Sequence, residues 1–138
     1  MRFQYGVDNK LFMPFQNVLL IDDDEEDAEI FSAAAKEASG TVRCIVFHDA
    51  TEALAKLESK ELDPDVIFLD LNMPIMSGQR FLQEIKARSA LKRIPVIIFS
   101  TSSQPSTIQQ TRELGAADFI TKPQRFGDLV KILNQIFN

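Results

Sequence analysis

Five short apolar runs alternate with five longer amphipathic segments along this chain. Strands of a buried sheet are apolar at consecutive positions, whereas the apolar positions of a helix recur about every 3.6 residues. Predicted strands cover residues 18–21, 42–47, 66–69, 96–99 and 117–121, and predicted helices cover residues 25–38, 51–60, 77–88, 105–114 and 126–137. The alternation therefore predicts an α/β fold, a doubly wound five-stranded parallel sheet with five helices on its two faces.

The regular pattern begins at Asn17 and fills the rest of the 138 residues, which is the length of one domain. We therefore place the domain at residues 17–138. Residues 1–16 are apolar without a clean period and are interrupted by Gly6 and Pro14. We interpret them as an N-terminal extension that is loosely packed or disordered, with a partner-contacting arm as the alternative reading. Met13 is an alternative start of the chain.

The composition excludes several classes of protein. One cysteine and one histidine can form neither an intramolecular disulfide nor a zinc site of the usual ligands. The lack of a disulfide favours a reducing compartment, so we expect a cytoplasmic protein. No apolar run approaches the roughly 18 residues of a membrane span. The net charge of −5 argues against general affinity for nucleic acids, and we expect no DNA-binding domain. Seven of the 20 acidic residues lie within residues 22–29, so the acidity is local.

Polar side chains follow four of the predicted strands. Asp22 and Asp23 follow the first strand, Asp70 the third, Ser100 the fourth, and Lys122 lies at the end of the fifth. In an open α/β sheet, ligands bind beyond the carboxyl ends of the strands. In a sheet of order 2-1-3-4-5 the first and third strands are neighbours. We therefore expect the acidic pair and Asp70 to face each other at this edge.

Carboxylates held a few ångströms apart repel one another, and such a cluster takes up protons or a cation. Oxygen ligands without Cys or His favour Mg²⁺, Mn²⁺ or Ca²⁺. Mg²⁺ is preferred, because the spacing of a calcium-binding EF-hand loop is missing. Beside such a metal, Asp70 could act as a nucleophile toward phosphorus, while Lys122 balances the phosphoryl charge and the Ser100 hydroxyl donates a hydrogen bond to it. Residues 24–27 are instead interpreted as acids that cap the following helix.

These residues resemble the receiver domain of two-component response regulators, the CheY-like family, over residues 17–137. The matching motifs are the strand and acids at 18–24, residues 70–74 with Gly78, residues 100–102, residues 115–116, and Lys122 with Pro123. Residues 91–96 and 100–103 resemble the stand-alone regulators grouped with cyanobacterial phytochrome response regulators. The resemblance implies a single-domain phosphorylatable switch with a flavodoxin-like fold.

The resemblance also implies individual roles at the phosphorylation site. Asp70 would accept a phosphoryl group from a phosphohistidine of a sensor kinase or a phosphotransfer protein. Asp23, Asp70 and the backbone carbonyl of Asn72 would bind Mg²⁺, and Asp22 would act mainly through a metal-bound water. Lys122 would pair with the phosphoryl oxygens.

The remaining implied features concern the switch. Ser100 would move toward the phosphate and Phe119 would turn inward behind it, and the Lys122–Pro123 peptide bond would be cis. Such a protein catalyses only its own phosphorylation and dephosphorylation, and it acts by binding a downstream protein. The last predicted helix carries more apolar residues than one sheet-facing stripe needs, which motivates the hypothesis of a homodimer or partner face there.

Three other functions are less consistent with these residues. A haloacid-dehalogenase-like phosphohydrolase also uses a strand-end Asp with Mg²⁺, but it needs a second Asp where this chain has Asn72. A flavodoxin-like carrier needs a phosphate-binding loop where this chain has the acidic cluster, and that cluster would repel a phosphate. A receiver-shaped module that is never phosphorylated is disfavoured because every expected functional position carries a competent side chain. His48 is interpreted as structural or exposed.

Overall fold

The structure is a computed structural model, and it describes residues 15–138. Its elements, in chain order, are β1 (Asn17–Ile21), α1 (Glu25–Ala38), β2 (Arg43–Phe47), α2 (Ala50–Glu58), β3 (Val66–Leu69), α3 (Gly78–Lys86), β4 (Val96–Ser100), α4 (Pro105–Glu113), β5 (Asp118–Thr121) and α5 (Phe126–Phe137). The predicted alternation of five strands with five helices is confirmed.

The five strands form one parallel sheet in the order β2-β1-β3-β4-β5. This is the predicted doubly wound order, in which β1 and β3 are neighbours. Ile21 at the end of β1 is paired with Leu69 at the end of β3. The residues that follow these two strands therefore leave the sheet side by side.

Helices cover both faces of the sheet and form two apolar layers. On one face α1 and α5 pack against alternate side chains of the strands, and on the other face α2, α3 and α4 do so. β1, β3 and β4 are buried along nearly their whole length, as strands covered on both faces must be. β2 lies at an edge and is only partly buried.

Several helix ends are fixed by local hydrogen bonds. The side chain of Asp24 accepts a hydrogen bond from the first turn of α1, and Asp49 and Ser77 do the same for α2 and α3. α2 ends at Glu58, two residues before the predicted end, because Lys60 adopts a positive φ of 66°. A left-handed residue just beyond a helix stops its hydrogen-bond ladder.

The amino-terminal end of the described chain contacts the domain. Phe15 is buried in the α1 and α5 layer, and the Gln16 backbone N–H donates to the Asp65 carboxylate at 2.9 Å. Residues 1–14, which include Met13 and most of the predicted extension, lie outside the described residues. Within residues 15–138 no helix is both long and apolar enough to cross a membrane.

The apolar surplus of α5 is largely absorbed by packing. Leu129, Leu133 and Phe137 are buried, and Val130, Ile132 and Ile136 pack against the same layer from its margin. Phe126, at the start of α5, remains 44% exposed. Contact with α1 thus accounts for most of the helix surface on which the hypothesis of a partner face was based.

Candidate functional site

Three carboxylates meet where β1 and β3 end. Asp22, Asp23 and Asp70 each offer an oxygen, and these oxygens all lie within 4.8 Å of one another. Backbone hydrogen bonds from Asp22 N to the Phe47 carbonyl and from Asp70 N to the Ile21 carbonyl, each 3.0 Å long, continue the sheet past the strand ends. The predicted meeting of the acidic pair with Asp70 is confirmed.

The donor set of this cluster suits a hard divalent cation. It consists of carboxylate oxygens, with Asp22 and Asp70 buried and Asp23 exposed to solvent. Oxygen-only ligand sets with open positions filled by water are what Mg²⁺ and Mn²⁺ use in proteins. The residues present therefore fit a divalent metal site at the carboxyl edge of the sheet.

The carboxyl group of Asp70 is an unusually weak acid. Burial raises its pKa most, and although Lys122 and a hydrogen bond from the Leu71 backbone lower it, repulsion from Asp22 and Asp23 adds to the rise. The resulting pKa is about 6, against an ordinary value of 3.8. Asp70 is thus mostly ionised at neutral pH, but at a cost in free energy that a cation or a covalent bond at the carboxylate would relieve.

Lys122 joins the cluster from the end of β5. Its ammonium Nζ lies 2.8 Å from Asp22 Oδ2, 2.9 Å from Asp27 Oδ2 and 3.8 Å from Asp70 Oδ1. Its side chain is only 11% exposed. This burial would lower the lysine pKa, but the hydrogen bonds to Asp22 and Asp27 outweigh it, and the net pKa is raised.

Asp27 was missed as a functional candidate. Its interpretation as a capping acid is incomplete, because the N-cap of α1 is Asp24 and the Asp27 carboxylate binds Lys122 instead. The sequence holds no specific signal of this arrangement. Asp27 comes three residues after Asp24, in the first turn of the helix, and only the tertiary structure shows that its carboxylate meets Lys122.

Ser100 and Phe119 lie behind the carboxylates and are both fully buried. The Ser100 hydroxyl oxygen accepts a hydrogen bond of 3.3 Å from the Ser102 backbone, and its carbonyl accepts one of 2.7 Å from Lys122 N. Phe119 is paired with Ile98 in the sheet and belongs to the layer covered by α3 and α4. Phe119 is already fully buried in this structure, and its rotation on phosphorylation remains a prediction.

The loop after β3 carries Asn72 and leads into α3. Asn72 is exposed two residues after Asp70, and its carbonyl remains a predicted metal ligand. Gly78 begins α3 so close to this loop that a Cβ there would lie 2.7 Å from the Leu71 Cα and would also strike the Asp70 carbonyl. Only glycine lets the helix start this close to the backbone of the candidate phosphate acceptor.

The structure also tests the predictions for His48 and for the Lys122–Pro123 peptide bond. His48 is exposed, and its Nδ1 lies 2.8 Å from the Asp22 carbonyl, which agrees with its interpretation as structural or exposed. The expected cis peptide bond between Lys122 and Pro123 is wrong, because no cis peptide bond occurs within residues 15–138. Proline reduces the preference for the trans form without abolishing it.

A sequence model described as the response regulator receiver domain matches residues 18–134. The chain belongs to this family. The predicted resemblance is thereby confirmed, and the alternative of a haloacid-dehalogenase-like phosphohydrolase is not supported. The protein is a receiver domain of a two-component response regulator, with the parallel sheet order described above.

Individual relatives of this receiver domain include both longer and similarly sized proteins. It is 35% identical over 123 residues to the two-component response regulator ORR1 of Oryza sativa subsp. japonica, with 85% of this chain and 53% of ORR1 aligned. The chain thus spans about half the length of that relative. It is 31% identical over 128 residues to the response regulator Rcp1 of Synechocystis, with 89% of this chain and 87% of Rcp1 aligned.

The fold is similar to solved structures of cyanobacterial response regulators. The phosphorylated cyanobacterial phytochrome response regulator RcpA superposes with a TM-score of 0.80 at 31% identity, over 88% of this chain and 90% of RcpA. The Mn²⁺-bound form of Rcp1 superposes with a TM-score of 0.78 at 30% identity, over 88% and 91% of the two chains. These similarities agree with the expected likeness to stand-alone phytochrome-associated regulators.

Proposed function

We propose that this receiver domain is a single-domain phosphorylation switch in which Asp70 accepts a phosphoryl group from a phosphohistidine of a sensor kinase or a phosphotransfer protein. The observation that carries the proposal is the position of the buried Asp70 carboxylate, inside the acidic cluster and 3.8 Å from the Lys122 ammonium. In the transfer, the phosphorus–nitrogen bond of the donor breaks and an oxygen–phosphorus bond to Asp70 forms. The electron pair of the broken bond leaves with the donor imidazole.

The chain supplies the nucleophile and most of the fixed charge for this step. With a pKa of about 6, Asp70 is largely ionised at neutral pH and can attack phosphorus. Lys122 is close enough to turn toward a phosphoryl group on Asp70, and charge-assisted hydrogen bonds from lysine to phosphate oxygens are strong. The buried Ser100 hydroxyl is the candidate hydrogen-bond donor to that group.

Asp22, Asp23 and Asp70, with the Asn72 carbonyl, are the residues proposed to hold Mg²⁺, for which Mn²⁺ could substitute. Bound there, the metal would neutralise negative charge on the transferring oxygens. Support comes from the oxygen-only donor set and from the Mn²⁺-bound form of the related Rcp1. The exposure of Asp23 gives the cation access from solvent.

The proposed output is a change in protein contacts. Movement of Ser100 toward the phosphate, coupled to Phe119, would favour a conformation that a downstream protein binds better. In this proposal the chain acts in the cytoplasm and catalyses only its own phosphorylation and dephosphorylation. A homodimer that involves α5 is a further hypothesis, and light scattering with and without a phosphoryl mimic tests it.

The decisive experiment measures phosphorylation by intact mass after incubation with acetyl phosphate. We expect a single phosphoryl adduct on the wild type with Mg²⁺, and none on Asp70→Asn or in the presence of EDTA. Asp63→Asn removes an exposed carboxylate by the same chemical change and should retain the adduct. An adduct that persists on Asp70→Asn would contradict the proposal.

A wild type that shows no adduct leads to a second measurement, the binding of beryllofluoride in the presence of Mg²⁺. Binding would show that the site accepts a phosphoryl mimic, which supports an adduct that hydrolyses too fast for detection. Failure of a folded, Mg²⁺-binding protein to bind beryllofluoride would overturn the proposal and leave a receiver fold that is not phosphorylated.

A further inference from the structure

The ammonium group of Lys122 is shared among carboxylates that have different tasks. Its two short contacts, at 2.8 and 2.9 Å, go to Asp22 and Asp27, whereas Asp70 lies 3.8 Å away. Asp22 belongs to the cluster that suits a cation, but Asp27 does not. Asp27 is therefore the close partner of Lys122 that belongs neither to the metal cluster nor to the phosphate acceptor.

The Asp27 carboxylate is not needed to cap α1. At the third position of a helix an acidic side chain often reaches back to the N-cap N–H. Here the N–H of Asp24 donates to Asp22 Oδ1 at 3.0 Å, and the Asp27 N–H donates to the Asp24 side chain at 2.9 Å. The two N–H groups that a capping box would pair, those of Asp24 and Asp27, thus have partners without the Asp27 side chain, which leaves it available for Lys122.

We propose that Asp27 is a positioning residue that draws the Lys122 ammonium away from Asp70, so that a phosphoryl group on Asp70 must compete with Asp27 for this lysine. The inference rests on the proposed phosphorylation of Asp70. A phosphoryl group carries about 1.5 to 2 negative charges where the Asp70 carboxylate carried one, and its oxygens are strong acceptors, which together attract the ammonium across the site. The Asp27 carboxylate is 37% exposed, so water replaces the lysine there when it leaves.

The test compares the affinity of variants for beryllofluoride, a phosphoryl mimic, at saturating Mg²⁺. Because the chain has no Trp, binding is followed by fluorine NMR. Asp27→Asn should bind about twofold to fivefold more tightly than the wild type, the size expected when one partly exposed ion pair no longer competes. Glu26→Gln is the matched control, since it removes the same charge from the neighbouring, exposed position of α1.

The possible results distinguish a failure of the proposed role of Asp27 from a failure of the proposed phosphorylation of Asp70. If the wild type binds and Asp27→Asn gains no more affinity than Glu26→Gln, the effect is one of general charge and the role of Asp27 is overturned. Weaker binding by Asp27→Asn would show that Asp27 presents Lys122 to the phosphoryl group, which also overturns the inference. A wild type that binds no beryllofluoride would instead overturn the proposed phosphorylation.

A second readout needs neither metal nor phosphoryl mimic. In EDTA, the ammonium nitrogen resonance of Lys122, assigned with Lys122→Arg, should shift in Asp27→Asn and stay in place in Glu26→Gln. Asp27→Glu keeps a carboxylate on a longer side chain and should restore most of the wild-type signal and affinity. An unchanged Lys122 resonance in Asp27→Asn would show that the ion pair does not form in solution.

Discussion

The carboxyl group of Asp70 shows how single residues set the chemistry of this site. The residue that closes β3 is buried together with the end of the strand, and this removes much of the water that would solvate its charge. Lys122 compensates only in part, since it lies 1.0 Å further from Asp70 than from Asp22. Asp70 therefore keeps a raised pKa, and its charge costs folding free energy at neutral pH.

This cost predicts a stability that depends on pH. In EDTA at pH 7.5, the free energy of unfolding of Asp70→Asn should exceed that of the wild type by about 1 to 3 kcal/mol. The reason is that each unit by which the pKa is raised corresponds to about 1.4 kcal/mol. The carboxyl group of Asp70 has a pKa of about 6 in the folded protein, against an ordinary value of 3.8. At pH values between these two, the native state binds a proton that the unfolded state has lost. The advantage of the variant should shrink as the pH falls through 6 and vanish near 3.8.

Urea unfolding at several pH values measures this difference directly. A gap that stays constant from pH 7.5 to pH 4 would show that the substitution acts through packing and not through the Asp70 charge. A wild type more stable than Asp70→Asn at pH 7.5 would show that attraction to Lys122 outweighs the loss of solvation.

Some of the site residues could be predicted from the sequence and others could not. Asp22, Asp70 and Lys122 each follow or end a buried strand, and in a parallel sheet such positions share one edge. Asp27 lies within a helix, where the sequence cannot show which neighbour the side chain meets. Its contact with Lys122 depends on how α1 lies across the sheet.

At the scale of single elements, the loop between β3 and α3 holds the most strained backbone near the site. Ile75 has a φ of 69°, and its side chain is 94% exposed. A β-branched residue rarely adopts this conformation, because its Cβ crowds the carbonyl oxygen that follows. The hydrogen bond of 2.7 Å from Met76 N to the Pro74 carbonyl closes the turn around it.

Relief of this strain should stabilise the protein. Ile75→Gly is expected to raise the free energy of unfolding by about 0.5 to 1 kcal/mol, since the relief of about 1 to 2 kcal/mol exceeds the entropy lost to a more flexible unfolded chain. Little apolar burial is lost, because the side chain is almost fully exposed. Thermal or urea unfolding measures the effect.

Ile75→Val is the matched control for this substitution. It remains β-branched at the same positive φ and should leave stability within about 0.5 kcal/mol of the wild type. Destabilisation by Ile75→Gly would show that the turn does not hold a strained backbone in solution.

Three helix starts follow residue types that mark them in the sequence, and the predicted starts lie within one residue of the observed ones. Asp24, Asp49 and Ser77 are good N-cap residues, and helices begin directly after each of them. The end of α2 was predicted too late, because the left-handed residue beyond it is Lys60 and not a glycine or asparagine. Lys60 adopts this conformation although its residue type does not mark the end of a helix.

At the scale of the whole molecule, an aromatic cluster ties α1 and α5 to the centre of the sheet. The ring of Phe31 lies 4.9 Å from that of Phe68 and 5.3 Å from that of Phe99, and Phe68 in turn lies 6.2 Å from Phe137. The rings meet at tilted or edge-to-face angles, which aromatic pairs prefer. This layer supports β3 and β4 directly beneath the site.

Two neighbouring residues of α1 should therefore respond very differently to truncation. Phe31→Ala empties a fully buried position and should cost about 3 to 5 kcal/mol of unfolding free energy. Ile30→Ala, at a position that is 46% exposed, should change it by less than about 1 kcal/mol. Urea unfolding of both variants checks the contrast, and similar losses would contradict the described orientation of α1.

The sequence by itself determined the fold class and the edge where the chemistry lies. Buried strands and amphipathic helices carry different periodicities, and the carboxyl ends of parallel strands meet at one edge, so local patterns predict both. Tertiary structure alone decided the distances on which reactivity depends. Lys122 contacts both Asp22 and Asp27, and the pKa of Asp70 is raised. Both properties arise because packing holds side chains that are distant in sequence within a few ångströms of one another and excludes water from them.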